Sequence, residues 1–166
     1  MSAMPQTYLS PAEYLAIERK AATKSEYFKG QMFPMAGGLE PHNLIAANTL
    51  TRVTMQFFDR PCRAYGSDMR IKVQATGLYT YPDISALCGE LQFDDAHRDT
   101  LLNPQVLVEI LSKSTERYDR RDKFEHYQRI PSLQDYVMIS QKKHHVDHYK
   151  RQADGSWLLR AYSKPR

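Results

Sequence analysis

Apolar side chains recur at two spacings along the chain, and these spacings predict helices and strands. From Pro41 or His42 to about 58, apolar residues fall three or four positions apart, which predicts an amphipathic helix that packs on a sheet. Residues 70–73 alternate between basic and branched apolar side chains, as in a half-buried strand. A nearly continuous apolar run at 105–111 is typical of a central strand that is covered on both faces.

Capping and turn residues divide the rest of the chain. Ser10 and Glu13 match a capping box at the start of a short helix, and Lys29-Gly30 suits the tight turn of a hairpin. A further helix is predicted at 119–129, whereas 89–103 lacks any period and is predicted to be a surface loop. Extended segments are predicted at 62–73, 78–88, 136–139, 145–149 and 157–160. We therefore expect one α/β domain spanning residues 1–166.

Composition narrows the class of protein. Apolar residues make up 42% of the 166 positions, which is enough for a core, and no apolar run is long enough to span a membrane. No secretory signal is recognisable, so we expect a cytoplasmic protein. Cys62 and Cys88 do not form a CxxC pair and are expected to be reduced, with a single disulfide as the alternative. The net charge of +4 permits nucleic-acid binding without requiring it.

Two carboxylates are candidates for chemistry. Asp83 follows Tyr81-Pro82 at the opening of a strand, and Glu109 interrupts the apolar run of the next core strand. Buried carboxylates are usually paired or bound to a metal ion, and a divalent cation relieves the repulsion between two of them. The alternatives are a turn residue at Asp83 and a salt bridge between Glu109 and an arginine.

A lysine completes the candidate set. Lys123 lies four residues before Tyr127 on the predicted helix, so both are expected on the side that faces the sheet. A lysine there could position water and stabilise charge on a phosphate. An exposed lysine on a charged helix is the alternative, and Lys113 is a competing candidate in an apparent turn.

These residues belong to a longer series of motifs, and together they resemble the Uma-type restriction endonucleases of the PD-(D/E)xK nuclease superfamily. The resemblance extends from about Tyr8 to Arg160. The matching motifs are Glu26-Tyr27, Gly30, Met35-Ala36-Gly37-Gly38, His42-Asn43, Tyr81-Pro82-Asp83-Ile84, Leu102-Asn103-Pro104, Val108-Glu109-Ile110-Leu111-Ser112, Asp119-Arg120 with Lys123, and Tyr127 with Pro131-Ser132-Leu133.

The resemblance implies a fold and a metal site. The fold would be restriction endonuclease-like, with a mixed central sheet of four or five strands, helices on its faces and antiparallel hairpins at its edge. Asp83 and Glu109 would be metal ligands, with the carbonyl of Ile110 as a third. Leu111 stands where the motif has its lysine, and Lys123 would supply that group from the next helix.

The implied activity is hydrolysis of DNA phosphodiester bonds with Mg²⁺, or with Mn²⁺ in its place. Glu26 and His42 would be accessory to the site, and Arg120 and Arg121 would contact backbone phosphates. A homodimer is compatible with cutting both strands of a duplex.

Two other hypotheses about the function remain open. One is a non-catalytic nucleic-acid-binding or regulatory protein on a nuclease scaffold. The other is an oligomer-forming domain of a mobile-element system, associating through outer strands that carry Tyr149 and Trp157.

Overall fold

A computed structural model describes residues 8–164. Its helices are α1 (Pro11–Glu18), α2 (Glu40–Gln56), α3 (Glu116–Arg120) and α4 (Asp122–Tyr127). Its strands are β1 (Ser25–Phe28), β2 (Gln31–Pro34), β3 (Cys62–Tyr65), β4 (Arg70–Val73), β5 (Leu78–Thr80), β6 (Ile84–Cys88), β7 (Thr100–Leu101), β8 (Val106–Leu111), β9 (Asp135–Ser140), β10 (His145–Arg151) and β11 (Trp157–Ser163). None of the helices within 8–164 is long and apolar enough to cross a membrane.

The strands form two mixed sheets. The larger has six strands in the order β11-β10-β9-β8-β6-β3, and only β8 and β9 run parallel. The smaller has five strands in the order β2-β1-β5-β4-β7, with β4 and β7 parallel. The predicted α/β class, with a mixed sheet, flanking helices and edge hairpins, is confirmed. The central sheet has more strands than the resemblance implied.

One apolar cluster joins the two sheets. The smaller sheet contributes Ile71, Val73 and Leu78, while Leu107 and Leu111 come from the larger one. Because side chains alternate along a strand, residue 109 lies on the same face of β8 as Leu107 and Leu111. The opposite face of the larger sheet is contacted by α2, which touches β3 and β8. Glu109 is therefore directed into the space between the sheets.

Several local predictions are confirmed. Ser10 and Glu13 form a capping box at the start of α1. Lys29 and Gly30 both have positive φ, 47° and 82°, as a two-residue type I′ hairpin turn requires. A Cβ added to Gly30 would lie 2.6 Å from Cδ1 of Tyr8, so glycine fits here for space as well as for conformation.

Other segments differ from their predictions. The helix expected at 119–129 is divided into α3 and α4, because Arg121 has non-helical angles of φ −117° and ψ −86°. The loop at 89–103 contains the short strand β7, which pairs with β4. The helix α2 has the expected position, yet none of its residues is fully buried.

The prediction that both cysteines are reduced is wrong. Cys62 and Cys88 are opposite each other in the antiparallel pair of β3 and β6, and they form a disulfide. The disulfide could not be predicted from the 26-residue separation of the cysteines, because their contact depends on the register of the two strands.

Candidate active site

Asp83 and Glu109 come together through the register of two neighbouring strands. In the antiparallel pair of β6 and β8, Ile84 is opposite Val108 and Ser85 is opposite Leu107. One further step in this register sets Asp83, immediately before β6, opposite Glu109. Directly opposed residues of an antiparallel pair share a face of the sheet. The two carboxylates are therefore neighbours at this end of the strand pair, and Asp83, which lies outside β6, also contacts His42 of α2.

Asp83 is held at both carboxylate oxygens. The backbone N–H of Ile110 donates to Oδ2 at 2.7 Å. Nε2 of His42, in the first turn of α2, lies 3.1 Å from Oδ1. A Cβ on Gly38 would come within 2.5 Å of the His42 ring, so the glycine leaves room for the imidazole. The Asp83 side chain is 14% exposed, which makes it the more accessible of the two carboxylates.

Glu109 is buried and receives two donors at the same oxygen. The Tyr127 hydroxyl donates to Oε1 at 2.7 Å, and Nζ of Lys123 lies 2.9 Å from it. Burial raises the pKa of Glu109 above its ordinary value, although the charge of Lys123 acts to lower it. The neighbouring carboxylates of Asp119 and Asp83 also raise this pKa.

Lys123 is buried among three carboxylates. Its Nζ lies 2.9 Å from Glu109, 3.5 Å from Asp119 and 3.7 Å from Glu26. Burial acts to lower the pKa of Lys123, but these carboxylates outweigh it and raise the pKa above its ordinary value. The lysine therefore stays protonated and is the cation of the cluster.

Glu26 joins this cluster from the smaller sheet. Thr80 donates to its Oε1, and the Tyr118 hydroxyl donates to Oε2 at 3.0 Å. Glu26 and Tyr118 also line a cavity of about 410 Å³ between the β1–β2 hairpin and the helices α3 and α4. The cluster is thus connected to the surface on the side of the hairpin.

Sequence reasoning assigned no role to some members of the cluster, although Asp119 stands in one of the matching motifs. Asp119 is buried, and burial raises the pKa of its carboxyl group. It precedes Lys123 by four residues, and this spacing was a usable signal. No sequence pattern predicts the hydrogen bonds of Thr80 and Tyr118 to Glu26, because both residues lie far from Glu26 along the chain. Tyr127 was expected to point inward, and its hydroxyl orients Glu109.

The remaining candidates lie apart from this cluster. Arg120 is engaged by Asp147 at 2.7 Å and by Glu116 at 3.0 Å. Arg121 is exposed, and so is Lys113 after the end of β8.

A metal ion would find hard oxygen donors here. Carboxylates and carbonyls are the ligands that Mg²⁺ prefers. The carboxylate of Asp83 is near enough to that of Glu109 to raise its pKa. Ile110 follows Glu109 in the chain, and its backbone N–H donates to Asp83. Within residues 8–164, no group of three or more His, Cys, Asp or Glu residues is arranged to hold a metal ion. A metal ion held here would therefore have two carboxylates as its acidic ligands, and its other donors would be a backbone carbonyl and water.

The fold defines the class of protein. It is similar to the crystal structure of "a putative nuclease belonging to DUF820" from Anabaena variabilis ATCC 29413, with a TM-score of 0.74 and 19% identity, over 93% of this chain and 84% of that one. The fold is thus restriction endonuclease-like. The Uma2 family, described as "Putative restriction endonuclease", matches residues 11–166, and the chain belongs to this family.

Two relatives from Synechocystis sp. (strain PCC 6803) are similar over most of their length. The uncharacterized protein sll1609 is 36% identical, over 91% of this chain and 85% of its own. The uncharacterized protein slr1290 is 37% identical, over 95% of this chain and 82% of its own. Family and fold together are those of restriction endonuclease-like nucleases.

Proposed function

We propose that this chain is a metal-dependent nuclease that hydrolyses phosphodiester bonds in DNA. The observation that carries the proposal is the 2.9 Å contact between Lys123 and Glu109, beside Asp83. Leu111 occupies the position of the motif lysine, and its side chain packs in the apolar core. In a PD-(D/E)xK arrangement, Lys123 of α4 would take over that role.

The proposed metal ligands are Asp83, Glu109 and the carbonyl of Ile110. A bound Mg²⁺ or Mn²⁺ supplies a Lewis acid for the phosphate and lowers the pKa of a coordinated water. His42 and the N–H of Ile110 fix the orientation of Asp83, while Tyr127 fixes that of Glu109. Such support from surrounding groups holds ligands in a productive geometry.

Lys123 contributes positive charge where negative charge develops. Its ammonium group remains protonated among the carboxylates, so it is suited to hydrogen-bond a water or a phosphate oxygen rather than to act as a base. Family membership favours DNA as the substrate. Exposed Arg121 is the better placed of the two predicted arginines for a phosphate contact, because Arg120 is held in two ion pairs.

A nicking assay on supercoiled plasmid tests this function. We expect the purified chain to nick DNA in millimolar Mg²⁺ or Mn²⁺ and not in chelator. Asp83→Asn and Lys123→Met should each reduce the rate by about 100-fold or more, since groups of this kind typically contribute factors of 10² to 10⁴. Asparagine keeps the shape of Asp83 and one acceptor for the N–H of Ile110, so the fold should be retained.

Lys113→Met is the matched control, because it removes an exposed lysine from the turn after β8. Its rate should stay within about twofold of the original, as expected for a surface change remote from the reacting groups. Mn²⁺ binding, followed by electron paramagnetic resonance, should be weakened by Asp83→Asn and not by Lys113→Met. Undiminished nicking by folded Asp83→Asn protein would refute the proposed site.

A non-catalytic nucleic-acid-binding protein is the second candidate, and one observation favours it. Both oxygens of Asp83 already have protein partners, and Oε1 of Glu109 has two. A closed network of this kind is able to hold the fold together without any metal. DNA binding that persists in chelator, with no nicking under any divalent ion, would support this candidate.

A further inference from the structure

The cavity between the β1–β2 hairpin and α4 combines aromatic and acidic side chains. Its volume of about 410 Å³ lies in the range of small-molecule sites. The rings of Phe28, Phe33, Tyr118 and His126 line it, together with three carboxylates. Within residues 8–164, no lysine or arginine is part of this lining. Such a lining differs from the rest of a chain whose net charge is +4.

The hairpin supplies an aromatic wall and one buried carboxylate. Glu26 is directly opposite Phe33 in the pair of β1 and β2, so the two side chains share a face. Phe28 follows Glu26 by two positions and lies on the same face. Glu26 is 9% exposed, whereas Phe33 is 46% exposed. The carboxylate of Glu26 is therefore at the inner end of the cavity, and the ring of Phe33 is nearer to solvent.

The helix α4 supplies two carboxylates at the outer end. Asp122 and Glu125 are exposed, and their spacing of three residues sets them side by side on the helix. The neighbouring basic residues Arg120 and Lys123 pair with other carboxylates. Asp122 and Glu125 therefore keep their negative charge at the mouth of the cavity.

The cavity as a whole has an excess of negative charge. Lys123 is shared among three carboxylates, and Glu26 is the most distant of them at 3.7 Å. Burial lowers the pKa of His126, so its ring is neutral at pH 7 and adds no positive charge. A cavity with this balance repels phosphate groups and attracts cations.

The rings of the lining are suited to ammonium groups. Nζ of Lys29 lies 5.1 Å from the centre of the Phe28 ring, and Nζ of Lys123 lies 5.7 Å from that of Tyr118. The face of an aromatic ring attracts a cation at such distances. Two of the four rings thus already lie beside ammonium groups of the chain itself, which indicates the kind of ligand that this lining favours.

We propose that the cavity binds a linear aliphatic amine with an ammonium group at each end, such as a diamine or a polyamine. One ammonium group binds Glu26 at the inner end, and the other binds Asp122 and Glu125 at the mouth. The methylene chain between them packs on Phe33 and on the buried Leu78. A bare metal ion would use the carboxylates alone, and a neutral apolar molecule would use the rings alone. The proposed metal ligands take no part, so this binding does not require the nuclease activity.

Calorimetric titration of the purified chain in chelator tests the site. Spermidine should bind with a dissociation constant on the order of 0.1 mM, as expected for a small ligand with few heavy atoms. Putrescine should bind more weakly than spermidine, and 1,4-butanediol, which has the length of putrescine without its charges, should not bind. The double variant Asp122→Asn/Glu125→Gln should weaken spermidine binding about tenfold, because two exposed ion pairs are lost. Phe33→Ala should weaken it about two- to fivefold, through loss of an aromatic contact that a bare metal ion would not make.

Glu90→Gln is the matched control, because it neutralises an exposed carboxylate in the loop after β6, outside the cavity. Its affinity for spermidine should stay within about twofold of wild type. Circular dichroism would verify that all variants are folded. The proposal is overturned if spermidine shows no saturable binding, if the double variant or Phe33→Ala binds it as well as wild type does, or if Glu90→Gln weakens it equally. Because the titration contains no divalent metal, loss of this proposal leaves the nicking result untouched, and the reverse also holds.

Discussion

Lys123 shows how one buried residue organises the candidate site. A buried ammonium group is unfavourable unless it is paired, and here Glu109, Asp119 and Glu26 surround it. The same lysine lowers the pKa of Glu109 against the effect of burial. Each charged group therefore makes the burial of the others tolerable, and the site is a single electrostatic unit.

This unit predicts a large and non-additive effect on stability. Lys123→Met should lower the free energy of unfolding by about 3–5 kcal/mol at neutral pH, because three carboxylates lose their buried cation. Adding Glu109→Gln should cost less than the sum of the single changes, with a coupling of about 1 kcal/mol or more. Urea unfolding of the single and double variants measures both quantities.

Lys113→Met serves as the reference in this cycle, and its stability should change by no more than about 0.5 kcal/mol, as for most surface substitutions. Strict additivity between Lys123→Met and Glu109→Gln would show that the two residues are not coupled, contrary to the 2.9 Å contact.

Among secondary-structure elements, local signals were sufficient where the controlling interactions are local. The capping box of Ser10 and Glu13 and the turn at Lys29-Gly30 involve neighbours along the chain, and both are confirmed. Glu109 was recognisable because a carboxylate interrupts a buried strand. The split at Arg121, the strand β7 and the disulfide were not predictable in this way, because each depends on contacts between distant segments.

The link between α1 and the loop before β7 illustrates such a distant contact. Arg19, at the end of α1, lies 2.8 Å from Asp99 and 2.7 Å from Asp95. Arg70 of β4 lies 3.1 Å from the same Asp99. Hydrogen bonding to Arg19 holds the pKa of Asp99 well below its ordinary value, despite partial burial. These contacts fasten the first helix to the smaller sheet.

Asp99→Asn should therefore destabilise the fold in a pH-dependent way. The pKa of Asp99 is lower in the folded state than in the unfolded chain, where it is about 4. The ionised carboxylate therefore stabilises the fold above about pH 4, and this stabilisation is lost as the pH falls from there through the folded-state pKa. We expect a loss of about 1–2 kcal/mol at pH 7, limited by partial solvent exposure. The difference from wild type should shrink below pH 4. Thermal unfolding across this range measures it, and a difference that grew on acidification would contradict the ion pairs.

At the scale of the whole molecule, the two sheets share one core. Ile71 of the smaller sheet belongs to the same cluster as Leu107 and Tyr136 of the larger one. Trp157, the single tryptophan, packs against Phe124 at the edge of that cluster. Glu26 and Glu109 come from different sheets, so the complete set of carboxylates around Lys123 exists only while both sheets are docked together. We infer that stability and the site depend on the same contacts.

Ile71→Ala tests this dependence, because it removes a fully buried side chain from the smaller sheet, far along the chain from Trp157. A core deletion of this kind costs about 2–5 kcal/mol. If the sheets unfold together, the urea transitions followed by Trp157 fluorescence and by far-ultraviolet circular dichroism should shift by the same amount and stay coincident. Arg160→Ala, at an exposed position of β11, should shift neither transition. An unchanged fluorescence transition in Ile71→Ala would mean that the larger sheet folds on its own. The cluster around Lys123 could then lose its contacts with the smaller sheet while the larger sheet stays folded.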